Sequence, residues 1–339
     1  MQTTVTPQQW DSFVRAQPRA HALQLYAWGQ LKAAFSWEVV RVSIQDEGQN
    51  IIAAAQILLR ALPLRLGKMA YLPMGVYAPP QHTADLWQAI HKAARAHGAR
   101  FLKWEPGIYG TDEPVPDFEQ LGFRLSPQTI QPPNTLLIDL DADDDTLLAR
   151  MNQGTRRKIR TGDKKGVRFY QGTAADVGAF TAMMQTTGSR NEFGVHTASY
   201  YQMAFDLFAA DDTAALFMAE HEGDTLAGIM VFAVGTGAWY LYGASSDVKR
   251  NLMGTYGVQW QAIQWAREKG YAYYDLWGIP DADEAMLEAQ FESRADGLWG
   301  VYGFKRGFGG RVARSVGAWD YVYNPVIYAA YKAALRLRG

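Results

Sequence analysis

The sequence repeats itself at a distance of about half its length, and this constrains the fold more than any other feature. The stretch WQAIHKAARAHGARFLKWEP from Trp87 returns as WQAIQWAREKGYAYYDLWG from Trp260, 173 residues later. Each reads as an amphipathic helix stopped by a glycine, Gly98 or Gly270, and followed by an apolar, aromatic-rich strand. Upstream, VSIQDEGQNIIAAAQILL matches ALFMAEHEGDTLAGIMVF, two antiparallel hairpins that align Glu47-Gly48 with Glu222-Gly223. Downstream lies a third pair, FEQLGF from Phe118 and FKRGFGG from Phe304. The expected fold is therefore α+β: two β-β-β-α-β copies, 1–148 and 149–316, each followed by an aromatic-rich β segment. A last helix with Asn324 as N-cap and Pro325 at N1, running through Tyr328, Tyr331 and Leu335, is expected to pack back on the first copy, so that domain 1 comprises 1–148 plus 317–339.

Composition narrows the chemistry. A chain of 339 residues with 48% apolar content can fill two ordinary cores. The net charge of −1 excludes a uniformly basic nucleic-acid coat, so any polyanion site is local. The absence of cysteine excludes disulfides, thiol catalysis and cysteine-held metals. GxxxxGK[ST], HExxH and GxSxG motifs are absent, and histidines 21, 82, 91, 97, 196 and 221 show no ligand spacing, so neither metal nor cofactor is expected. The opening MQTTVTPQQWDSF lacks the basic and apolar regions of a signal peptide, and no apolar run is long enough to span a bilayer. A cytoplasmic protein is expected, with peripheral membrane contact open.

The charge that exists is uneven. IDLDADDD places Asp139, Asp141, Asp143, Asp144 and Asp145 together, with the last three suited to a helix N-terminus. MNQGTRRKIRTGDKKGVRF then supplies Arg156, Arg157, Lys158, Arg160, Lys164, Lys165 and Arg168. This basic run reads either as a solvated helix face or as a contact to a phosphate backbone.

The order of elements in each copy resembles the fold of the GCN5-related acetyltransferases, in duplicate. LQLYAWGQLK near the start, MNQGTRRKIRTGDKKGV at mid-chain, YYDLWGIP, and GVYGFKRGFGGRVARSVGAWDYVYNPVIY at the end together resemble the Fem (FemABX) family of non-ribosomal peptidyltransferases. The resemblance covers essentially the whole chain. It implies two acetyltransferase-like domains that use aminoacyl-tRNA, without coenzyme A, to add an amino acid, glycine or alanine, to the side-chain amine of the diamino acid in a peptidoglycan precursor, UDP-linked or lipid-linked. No heptad stretch corresponds to the helical arm of the family's larger members, so the compact FemX-type branch is expected, as a monomer.

Such an enzyme starts from an activated ester and needs a neutral amine, alignment and a stabilised oxyanion. The resemblance places the family's functional Phe-Lys pair on Phe304 and Lys305, in a glycine-dense run where a cation could face the oxyanion; edge-strand gatekeeping is the alternative. Glu105, ending FLKWEP, matches an acidic position proposed to deprotonate the acceptor amine, although the family more often has Asp-Pro there. Asp320 is a second carboxylate candidate, or one half of a structural ion pair. Lys32, one helical turn after Trp28, matches a family lysine that contacts the diphosphate of the precursor, or is a surface lysine beside a buried tryptophan. Tyr242, Tyr256, Tyr200 and Tyr201 lie in segments that resemble the family's second-domain channel, with a core role as the default. Arg156, Arg157, Lys158, Arg160, Lys164 and Lys165 are the candidate tRNA contacts.

Two other readings compete. A coenzyme A-dependent N-acetyltransferase usually carries a [QR]xxGx[GA] loop before the central helix, which neither KRNLMGTYG nor LPMGVYAPP supplies. A non-catalytic RNA-binding module would account for the basic segment but not for the duplication or for FKRGFGG.

Overall fold

Thr6 opens the first helix, α1 (Pro7–Arg15), through a reciprocal capping box with Gln9 and a proline in the first turn. There follow α2 (Tyr26–Ala34), β1 (Glu38–Gln45), β2 (Ile51–Ala61), β3 (Lys68–Pro73), α3 (Pro80–Ala96), β4 (Ala99–Glu105) and the short β5 (Arg124–Leu125). The chain continues through β6 (Asn134–Asp139), α4 (Asp144–Arg150), α5 (Gln153–Lys164), β7 (Arg168–Gly172), α6 (Val177–Asn191), α7 (Ala198–Ala209), β8 (Ala214–His221), β9 (Asp224–Val234), β10 (Gly237–Ser245), α8 (Gly254–Glu268) and β11 (Tyr273–Asp275). It ends with α9 (Glu284–Gln290), α10 (Trp299–Arg306), β12 (Arg311–Arg314), β13 (Trp319–Val322) and α11 (Pro325–Arg336). The computed structural model describes residues 5–110, 114–191 and 194–337.

Both copies of the repeat contain the predicted hairpin and crossover. β1 pairs antiparallel with β2, and β8 with β9. Helix α3 then carries the chain from β3 to its parallel neighbour β4, as α8 does from β10 to β11. Each crossover helix stops because Gly98 and Gly270 take left-handed φ values of 80° and 81°, which a side chain would disfavour. The apolar stripe of α3, Leu86, Trp87, Ile90 and Ala94, shares one buried core with Ala53, Ala55, Ile57 and Leu59 of β2 and Leu72 of β3. Val258, Ala262, Ile263 and Ala266 of α8 are buried in the same way in the second core.

The chain divides into two compact units, Met1–Pro133 with Arg314–Gly339, and Asn134–Ala313. Their strand orders are β1-β2-β3-β4-β13-β5 and β12-β6-β11-β10-β9-β8-β7. Each sheet is thus completed by a strand from beyond the other copy's crossover unit. β6, at the end of the first copy, pairs antiparallel with β11, Ile138 opposite Tyr274. β13, after the second, pairs antiparallel with β4, Tyr321 opposite Leu102. Residues 134–148, expected in the first domain, accordingly lie in the second unit, because Leu136, Ile138, Leu140 and Leu147 are buried in its core. The later boundary lies at 313/314 rather than 316/317.

The third piece of the repeat also differs from expectation. Phe118–Phe123 is a turn leading to β5, and Phe304–Gly310 spans the end of α10 and a turn leading to β12, so these residues precede the edge strands instead of forming them. Helix α11 begins as predicted, with Asn324 Oδ1 accepting from Ile327 N at 3.0 Å. It belongs to the first unit, where Tyr328 and Tyr331 place their rings 5.3 and 4.7 Å from that of Phe101.

Candidate functional site

Phe304 and Lys305 lie in the last turn of α10, neither in a loop nor on an edge strand. Lys305 is buried, and its Nζ donates to the carbonyls of Trp277 (3.1 Å) and Gly278 (2.7 Å). Those carbonyls are presented by a turn in which Trp277 takes a left-handed φ of 57°. Asp275 sets the turn: its Oδ1 accepts from Trp277 N at 2.6 Å and from the Thr135 hydroxyl. Its Oδ2 is buried with no hydrogen-bond partner among the described residues. Burial lowers the Lys305 pKa to about 8, opposed by the charge of Asp275, and burial raises the Asp275 pKa to about 6, opposed by its hydrogen bonds and by Lys305. Nζ also lies 5.6 Å from the centre of the Tyr240 ring. Asp275 escaped the sequence reading, although an aspartate inside the aromatic strand segment Tyr273-Tyr274-Asp275-Leu276-Trp277 is itself a signal.

Beside this centre, Tyr256 packs edge-on to Phe304 at 5.0 Å and stacks with Phe308 at 6.0 Å. Lys158 donates to the Tyr256 hydroxyl at 2.9 Å, so a predicted tRNA contact and a predicted substrate contact touch each other. Tyr242 joins a different cluster, with its hydroxyl 3.1 Å from that of Tyr200 and its ring 5.3 Å from Tyr201. An irregularity in β10 between Tyr240 and Tyr242 breaks the alternation that would otherwise keep these two on one face.

The basic segment forms α5, capped by Asn152. Its buried face, Thr155, Ile159 and Gly162, approaches closely because Phe169 fills the space a side chain would occupy at Gly162 and at Gly257 of α8. Arg156 turns back to donate to the carbonyls of Leu148, Ala149 and Met151 and so caps α4. Lys165 reaches the Asn251 carbonyl at 3.4 Å. Arg157, Arg160 and Lys164 are exposed, spaced to share one helical face, and line a groove with Gln153 and Thr161; among the described residues they make no ion pair.

In the first unit, Lys32 Nζ sits 4.4 Å over the ring of buried Trp28, and burial together with Arg60 lowers its pKa to about 8. Arg60 lies 5.4 Å over Trp37, and both line a cleft of ≈ 740 Å³ with Met69, Thr129, Tyr331 and Leu335. Glu105, buried at the end of β4, lines a small adjoining pocket that shares Thr129. Its carboxylate accepts from the Tyr71 hydroxyl (2.5 Å) and from the backbone of Ile130 (2.5 Å) and Gln131 (3.1 Å). Burial pushes its pKa up, and these bonds oppose the rise. Asp320 is the structural alternative: it is fully buried 3.1 Å from Lys103 and accepts from the Tyr328 hydroxyl at 2.8 Å. Among the described residues, no group of three or more His, Asp or Glu side chains could hold a metal.

Two sheets, each with a parallel crossover flanked by antiparallel strands, define a tandem acyltransferase-like fold. A tandem GNAT protein from the clavulanic acid biosynthesis pathway shares it at a TM-score of 0.53 and 12% identity, covering 94% of this chain and 95% of that one. The crystal structure of FemX matches with a TM-score of 0.83 and 22% identity over 97% of this chain and 98% of its own. The FemAB family model matches residues 5–114, 117–224 and 212–336, and the chain belongs to the FemAB family. The Lipid II:glycine glycyltransferase of Staphylococcus aureus (strain MRSA252) is 25% identical, covering 96% of this chain and 93% of that protein. That alignment runs over 406 residues, longer than this chain, so the relative carries sequence that this chain lacks.

Proposed function

We propose that this chain is an aminoacyltransferase that moves an amino acid from aminoacyl-tRNA to the side-chain amine of a peptidoglycan precursor, lipid-linked by preference. Family membership and relatives named as Lipid II:glycine glycyltransferases support the reaction class and the acceptor. The observation that carries the mechanism is the buried ammonium of Lys305, which commits two N–H groups to backbone carbonyls and keeps a third for a ligand. In aminolysis the neutral amine attacks the ester carbonyl, a C–N bond forms, and the carbonyl oxygen becomes an oxyanion. Collapse breaks the C–O bond to the ribose, whose oxygen leaves with a proton. Lys305 stabilises the oxyanion from a site where burial strengthens its field. The acceptor amine begins as an ammonium and must lose a proton; in the first unit the buried carboxylate of Glu105, its pKa raised by burial, has the chemistry of such a base. The exposed face of Arg157, Arg160 and Lys164 holds the tRNA backbone, and Lys32 with Arg60 faces the acceptor's diphosphate.

The test is direct transfer. Purified protein is incubated with labelled glycyl-tRNA or alanyl-tRNA and with UDP-linked or lipid-linked muropeptide. Label in the precursor, abolished by prior discharge of the tRNA, is the expected result. Transfer from labelled acetyl-coenzyme A instead, or no label in either precursor, refutes the reading.

A further inference from the structure

The cleft that holds Arg60 and Trp37 has two rims, and both combine exposed leucine with unopposed cations. The first is the β2–β3 hairpin tip, Leu62-Pro63-Leu64-Arg65-Leu66-Gly67. Leu64 is 89% exposed there, although a leucine so placed gains nothing from the protein's own core. Leu64 and Arg65 occupy consecutive left-handed positions, φ 57° and 55°, which bulky side chains rarely adopt. The tip is fastened: Leu62 N donates to Gly67 O at 2.8 Å and Arg100 Nε to Leu66 O at 3.1 Å. Its display of leucine and arginine is therefore built in. The second rim is the end of α11, where Leu337 is 88% exposed next to Arg336 and Lys332 lies earlier on the helix with its Nζ 5.2 Å over the Tyr328 ring, while Tyr331 and Leu335 line the cleft.

Charge identifies the occupant. No Asp or Glu occurs between residues 48 and 84 or after Asp320, stretches that hold Arg60, Arg65, Lys68, Lys332 and Arg336. Lys68 is held by Glu38; the other four make no ion pair among the described residues. Apolar side chains standing among uncompensated cations match a bilayer interface, where leucine enters the acyl boundary and the cations meet lipid phosphates.

We propose that these two rims seat the first unit on an anionic membrane, so that the cleft opens at headgroup level and receives a membrane-borne acceptor. The acceptor part of this inference rests on the acyltransfer reading above; the docking surface does not.

Co-sedimentation of the full chain with vesicles of phosphatidylglycerol and phosphatidylcholine, against phosphatidylcholine alone, tests it. Binding that requires phosphatidylglycerol and weakens with salt is expected. Leu64→Asp, Arg65→Glu and Arg336→Glu change exposed side chains outside the cleft, and each should weaken vesicle binding about tenfold or more. Transfer to lipid-linked acceptor in vesicles should fall in step, with transfer to UDP-linked acceptor unchanged. Failure of the wild-type chain to bind anionic vesicles, or wild-type binding by all three variants, overturns the proposal. Vesicle binding without transfer to either acceptor would remove the acyltransfer reading and leave the docking surface standing.

Discussion

Each copy of the repeat buries a charged residue on the strand that follows its crossover helix, and the two copies treat it differently. In the first, Lys103 of β4 closes on Asp320 at 3.1 Å; Lys103 also donates to Ser126 and Gln128, and the other Asp320 oxygen accepts from the Tyr328 hydroxyl. In the second, Asp275 of β11 and Lys305 of α10 make no direct ion pair within 4 Å; neutral hydroxyl, amide and carbonyl groups hold each of them. A closed pair is an inert cross-link, because leaving either charge alone in the core is costly. Charges held apart keep unused bonding capacity, and burial brings their pKa values toward each other, to about 6 and about 8. The same fold position thus serves stability in one unit and is available to chemistry in the other.

Removing one partner should separate the two most sharply. Lys103→Met strands the Asp320 carboxylate and should cost about 3–5 kcal/mol in urea unfolding, while Lys103→Met with Asp320→Leu recovers most of it. Lys305→Ala should leave folding stability at pH 7 unchanged or higher and reduce kcat by about 10²–10³, with little change in either KM. If Lys305→Ala unfolds as readily as Lys103→Met, the distinction collapses.

The pH dependence sharpens it further. The proposed oxyanion role requires the ammonium form of Lys305, so on that proposal kcat should fall as pH rises through about 8. The unfolded chain holds that proton to about 10.4, binding more protons than the folded chain between these values, so stability rises with pH across this window. Asp275 has the opposite sign: with its pKa raised to about 6, the folded state binds more protons between 3.8 and 6, and stability falls as pH rises there. Asp275→Asn should abolish that acid-range slope and move the descending limb of kcat to lower pH, because Lys305 loses its one opposing charge. The smallest effect is expected from Tyr328→Phe, which deletes one bond to the closed pair: about 1.5 kcal/mol of stability, with kcat unaltered.

Much of the fold was legible because period and punctuation report local structure. The hairpins, the two glycine-stopped crossover helices and the Asn324-Pro325 start of α11 all depend on residues near in sequence. The pairing of β6 with β11 and of β13 with β4 was not legible, since alternation marks a strand without naming its neighbour. The glycines at 307, 309 and 310 follow the end of α10 as a glycine-dense run should, but Lys305 itself lies inside the helix, in its last turn, because the helix extends to Arg306. In the basic segment the charge was evident, but the division of labour was not: Arg156 caps a helix five to eight residues upstream, whereas Arg157 next to it faces outward. Asp275 and Lys103 were passed over because a charge in an apolar strand violates the pattern that identifies the strand.

The exchanged strands also impose a timetable on synthesis. β6 leaves the ribosome before β11 and awaits it, so the second unit can close its sheet as soon as its own strands appear. β4 has no such luck: its antiparallel neighbour is β13, more than two hundred residues downstream. At about 5–20 residues per second, the first unit carries an open strand edge for roughly 10 to 40 s of translation. The half of the protein made first is therefore the last to be finished, and its nascent form is the one that calls for protection from aggregation.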